Sequence, residues 1–114
     1  MKEVEFEGVI YQIGSNAKDN WNVLDNAKQN WLWFHLDNLT SPYVVIKEDL
    51  KNLKSNIYDL SWKNYIIYAG VLCKENSKHK SYKVNCIWTE IKNVKKGSNI
   101  GEALIKGKIN KFNI

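Results

Sequence analysis

Arginine is absent from the 114 residues, and all seventeen basic side chains are lysine. Lysine holds a phosphate as a point charge but lacks the planar fork that reads guanine in two bonds, so sequence-specific readout of that kind is excluded. Cysteine occurs twice and proline once. No C-x-x-C or H-x-x-x-H pair exists, so Cys73, Cys86, His35 and His79 do not form a recognisable zinc set. Both thiols read as small hydrophobes in a reducing compartment. No apolar run is long enough to span a bilayer, and Met1 to Glu5 lacks the apolar segment of a signal peptide. These absences predict an intracellular, cytoplasmic protein with no membrane partner. The Walker pattern is missing too, so Gly97 to Gly101 reads first as a turn. No cofactor and no metal are expected. Without a repeat, linker or low-complexity tail, residues 1–114 read as a single domain.

The charge that is present is uneven. Residues 1–73 carry seven lysines against nine acids, and residues 74–114 carry ten against three, within a net charge of +5. The basic C-terminal third points to a polyanionic partner such as nucleic acid, or to a solvated lysine-rich surface; charge alone leaves both open.

Along the chain, residues 3–13 alternate as a strand whose phase shifts at Gly8, which predicts a bulge there. Ser15 or Asn16 can cap a helix over residues 17–29. Strands over 32–37 and 43–47 form a hairpin, with Pro42 at its return. Leu50, Leu53 and Ile57 fit a short helix, and a second, capped by Asp59 or Ser61, runs to Asn76. Its inner set is Trp62, Tyr65, Ile66, Ala69, Leu72 and Cys73. Ser77 to Ser81 is a basic loop, Val84 to Thr89 a strand, and Ile100 to Ile109 a last strand. The fold class is α+β: a mixed, mostly antiparallel sheet of about five strands with helices mainly on one face.

The densest run of large side chains is Trp31-Leu32-Trp33-Phe34-His35-Leu36-Asp37. With period two, Leu32, Phe34 and Leu36 form a core face, while Trp31, Trp33, His35 and Asp37 share the other. Trp62 and Trp88 read as core. An exposed Trp33 and Tyr43 beside lysine-rich loops is how proteins stack unpaired bases and neutralise phosphates, and core filling is the alternative. His35 fits a general acid or base, a structural histidine, or a ligand contact. No nucleophile stands at a recognisable spacing to it.

Three stretches in order, Ile13-Gly14-Ser15-Asn16-Ala17-Lys18-Asp19-Asn20, Trp31-Leu32-Trp33-Phe34-His35 and Ser41-Pro42-Tyr43-Val44-Val45-Ile46-Lys47, resemble the NFACT-R domain. That family reads roughly V-G-K-N-x-x-x-N-D, then D-x-W-F-H, then G-S-H-V-I-I. Ala69, Lys74 and Asn76-Ser77, then Ile87-Trp88-Thr89, Lys92, Val94-Lys95-Lys96 and Gly101, extend the likeness to roughly residues 6–109. It is most like the form found in the coiled-coil-domain-containing relatives. The coiled coil of those proteins, and the additional domains of the ribosome quality-control members, are not expected in this stretch. Tyr43 replaces the family's second histidine, Ser41-Pro42 its Gly-Ser, and Trp21 an aspartate.

The resemblance implies an RNA-binding module linked to tRNA and the ribosome, without an established catalytic activity. The residues expected to bind nucleic acid are then Trp33, His35 and Tyr43 at bases or sugar, with Asn16, Lys18, Asn20, Lys74, Ser77, Lys92, Lys95 and Lys96 at phosphates. Two alternatives stand beside this. One is an enzyme on a nucleic-acid or nucleotide substrate, with His35 as acid-base residue and Lys95 or Lys96 stabilising charge. The other is a protein-interaction adaptor.

Overall fold

Two consecutive left-handed residues, Glu7 (φ 48°) and Gly8 (φ 84°), turn the chain back between β1 (Lys2–Phe6) and β2 (Val9–Ile13). Positive φ at both central positions makes a two-residue hairpin turn whose twist suits the flanking strands, and glycine takes it without a Cβ clash. The phase shift read as a bulge in one strand is therefore a reversal: Phe6 pairs with Val9, and Lys2 with Ile13. The computed structural model describes residues 1–114.

Helix α1 (Ala17–Asp25) starts where Asn16 Oδ1 accepts the Asp19 amide at 2.8 Å. The Asp19 carboxylate in turn accepts the Ser15 amide and hydroxyl, at 2.8 and 3.0 Å. Asn16 is thus the cap, while Asp19 secures the preceding Ser15. Strands β3 (Trp31–Leu36) and β4 (Val44–Asp49) form the expected antiparallel hairpin. Asp49 then caps the short α2 (Leu50–Lys54), which ends before the exposed Ile57. Helix α3 (Trp62–Glu75) follows, then β5 (Asn85–Glu90) and a single 3₁₀ turn over Ile91–Asn93.

The expected last strand over residues 100–109 shrinks to residues 103–105, and a further strand follows it at residues 110–113. Strand β7 (Ala103–Ile105) pairs with β6 (Val94–Lys96) as a separate ribbon, and β8 (Asn110–Asn113) joins the main sheet beside β5. The break falls at Gly107 (φ 85°), with the Lys106 amide donating to the Asn93 carbonyl at 2.8 Å. The main sheet has six strands in the order β1-β2-β4-β3-β5-β8, every neighbouring pair antiparallel.

This sheet has a core on each face. On one, Leu32, Phe34, Leu36, Val44 and Ile46 meet Tyr65, Ile66, Ala69, Leu72 and Cys73 of α3, as the helical period predicts. Trp88 is buried there and Trp62 packs at its margin, with Lys54 Nζ 4.4 Å from the Trp62 ring. Gly70 lets β8 close on the helix, since a Cβ there would lie 2.6 Å from the Phe112 ring. On the opposite face, Val23 and Leu24 of α1, Ile91 and Val94 cover Trp33, Tyr43 and Val45. Phe34→Ala removes a fully buried ring at the centre of the larger core. It is expected to cost about 3–5 kcal/mol, read as a lowered urea midpoint.

Candidate nucleic-acid interface

Side-chain parity along β3 sends Trp33 and His35 away from α3, and strand register continues the row. His35 lies opposite Ile87 on β5, and Ile87 opposite Lys111 on β8. The Tyr43 ring stands edge-on to His35 at 5.6 Å and 87°. Beyond the cover formed by α1 and the ribbon, this row opens into a groove of about 1370 Å³. The start of α1, with Ser15, Asn16 and Asn20, forms one wall. The Asp37–Pro42 loop and Lys78-His79-Lys80 after α3 form another, and Ile100 to Glu102 with Ile105 and Ile109 close the rest.

Several contacts fix the floor. Asn20 Oδ1 accepts the buried Tyr43 amide at 2.9 Å, and Gly14 makes room for it, since a Cβ on Gly14 would lie 2.0 Å from that oxygen. Burial pushes the Tyr43 phenol up to about 12, so it stays protonated and donates to the Gly101 carbonyl at 2.6 Å. Trp21 Nε1 donates to the neighbouring Glu102 carbonyl at 3.1 Å. A Cβ on Gly101 would come within 2.7 Å of the Ala17 methyl, so the 97–102 turn rests directly on α1. That turn also holds its own anion: Glu102 Oε1 accepts the Ser98 amide at 2.8 Å, where an incoming phosphate would have to bind.

The structure brings Asn16, Asn20, Trp33, His35, Tyr43 and Ser77 to the groove. The expectation of open ring faces at Trp33 and Tyr43 is corrected: both are only 1% exposed, because α1 and Ile91 and Val94 pack on them. Asn20 is buried as well, and its carboxamide oxygen is committed to backbone. Ser77 hydrogen-bonds the Lys74 carbonyl and the His79 amide, so it terminates α3 while bordering the groove. The lysines expected at phosphates lie outside the groove. Lys18 is on α1, and Lys74 Nζ reaches the Ile114 carbonyl at 3.2 Å. Lys92 faces Glu90 at 3.6 Å. Lys95 and Lys96 border a separate depression of about 410 Å³, where Lys96 pairs with Asp25 at 2.8 Å and sits over Trp21. Lys78, Lys80, Ile100, Ile109 and Lys111 were not singled out as site residues from sequence. The basic loop pointed to the first two, but nothing local reveals that Ile100 and Ile109 flank a groove.

His35 is half-buried and stacks on Trp33 with the rings 5.8 Å apart and 6° from parallel. Desolvation holds its pKa below the ordinary 6.5, opposed by the backbone at Leu36 and Ser41 and by the charge of Asp37. It is therefore neutral at pH 7 and lines the groove as a half-buried ring without a charge. Asp37 is held by Lys111 at 2.8 Å. No group of three or more His, Cys, Asp or Glu side chains converges as a metal site.

A sequence profile described as the NFACT protein RNA binding domain matches residues 4–112. The chain belongs to this family. Membership supports an RNA-binding role in general, with nucleic acid as the partner. A solved structure, the C-terminal part of the fibronectin/fibrinogen-binding protein from Streptococcus suis, shares the fold of this chain with a TM-score of 0.80 at 23% identity. The overlap covers 98% of this chain and 44% of that one, so the present domain corresponds to less than half of its length. No curated protein matches the chain.

Asn20→Ala strands the buried Tyr43 amide. A loss of about 1–3 kcal/mol in urea unfolding is expected, with Asn20→Asp recovering part of it. The depressed His35 pKa gives a pH signature. The folded state binds fewer protons than the unfolded state, so this contribution is complete above pH 6.5 and is lost as pH falls below it. Urea midpoints measured between about pH 5 and pH 7.5 should fall more steeply in wild type than in His35→Gln.

Proposed function

We propose that this domain binds RNA in the groove, chiefly through its backbone and shape, with Lys78 and Lys80 meeting phosphates and neutral His35 meeting a base edge or ribose hydroxyl. The observation that carries the reading is the meeting of the basic lip at 78–80 with the W-F-H strand in one open groove, in a chain that the family profile matches from residue 4 to 112. Lysine without arginine favours contacts that do not depend on sequence. We further propose that the RNA is tRNA or ribosome-associated RNA, and that the protein acts in the cytoplasm. Lys18, Lys74, Lys92, Lys95 and Lys96 then serve as outer, long-range phosphate attraction rather than as the groove's own contacts.

Fluorescence anisotropy with tRNA tests this. Binding should weaken steeply with salt, with a log–log slope of about −0.7 to −0.9 per phosphate neutralised. Lys78→Glu with Lys80→Glu should weaken binding about tenfold and flatten that slope, and Lys95→Glu with Lys96→Glu should do less. Absence of binding at low salt, for tRNA and for unstructured RNA alike, would discard the reading.

A further inference from the structure

We infer that the occupant of the groove is an unpaired RNA strand, whose bases lie on an aliphatic wall formed by Ile87, Ile100, Ile105 and Ile109 while its phosphates follow the lysine lip. This rests on the RNA-binding reading above and names the class of RNA.

Ile100 is 64% exposed and Ile109 44%, although the fold has apolar cover nearby in the ribbon and α1. Ile87 and Ile105 also line the groove, half-buried and packed against the core that holds Trp33 and Tyr43. Water leaves such a surface only for another apolar face. An RNA duplex has none to give, because its bases are stacked inside and it presents phosphates, ribose hydroxyls and base edges. An unpaired strand presents the faces of its bases directly. Trp33 and Tyr43 are covered and offer no platform, which leaves the isoleucines, beside the His35 and His79 rings, as the surface that faces the bases.

The charges agree with this arrangement. Asp37, Glu75 and Glu102 line the groove with Lys78 and Lys80. Asp37 is paired with Lys111, Glu102 keeps its charge but directs it at the Ser98 amide and hydroxyl, and Glu75 lines the groove with the two lip lysines. The groove thus carries lysines at the 78–80 lip, exposed aliphatic surface at Ile100 and Ile109, and the neutral His35 ring. Those are the groups needed for a strand that presents both phosphates and base faces.

The test uses the full chain and three probes of one mixed sequence: a 12-nucleotide single strand, the duplex with its complement, and a closed hairpin. Affinities come from anisotropy at fixed low salt. The single strand should bind at least about fivefold tighter than the duplex or hairpin stem. Ile100→Ser with Ile109→Ser, neutral changes at exposed positions, should erase that preference and leave the melting temperature unchanged. Lys78→Gln with Lys80→Gln should weaken all three probes alike. Equal or tighter duplex binding overturns the inference while leaving RNA binding intact. So does a preference that survives the isoleucine substitutions. If none of the probes binds, the RNA-binding reading itself fails and takes the inference with it.

Discussion

A strand covered on both faces must bury an apolar side chain at each position, and β3 does so from Leu32 to Phe34, with the Trp33 indole N–H left as a buried donor without a partner. The α3 face takes Leu32, Phe34 and Leu36, and the α1 and ribbon face takes Trp33. The cover of the second face ends at His35. From there the sheet carries His35, Ile87 and Lys111 in one row, and the groove begins. The site is therefore the place where the second layer runs out. Its position follows from the length of the covering elements more than from any special loop.

That origin explains why groups so unlike one another meet there. Tyr43 is sequestered, but its buried amide and hydroxyl bind the start of α1 to the 97–102 turn through Asn20 and Gly101. The tyrosine found where the family has histidine thus has a clear structural task, that of an anchor for the wall. His35 keeps the opposite character: half-open, neutral and stacked flat on the buried Trp33 indole, it lends the floor polarity without a charge.

Local pattern made much of this legible. Period-two alternation separated Leu32, Phe34 and Leu36 from Trp33 and His35, and helical spacing picked out the inner face of α3, because both signals lie within a few adjacent residues. The burial of Trp33 and Tyr43 was not legible, since their cover comes from residues 23–24 and 91–94, and only tertiary packing decides which aromatics remain open. Gly8 misled for a related reason. A glycine between alternating segments fits a bulge as well as a reversal, and the choice rests on pairing partners elsewhere in the chain. The basic lip was visible as composition, whereas its sharing one groove with Ile100 and Ile109 depended on the last predicted strand being cut down to Ala103–Ile105.

The contact of Gly101 with Ala17 has a mechanical consequence. With no side chain between turn and helix, and with Tyr43 tied to both, the floor and the Ile100 wall behave as one stiff piece. A slot of fixed gauge does not tighten around its guest. The entropic cost of association then falls on the guest strand, and flexible guests lose more than those already extended.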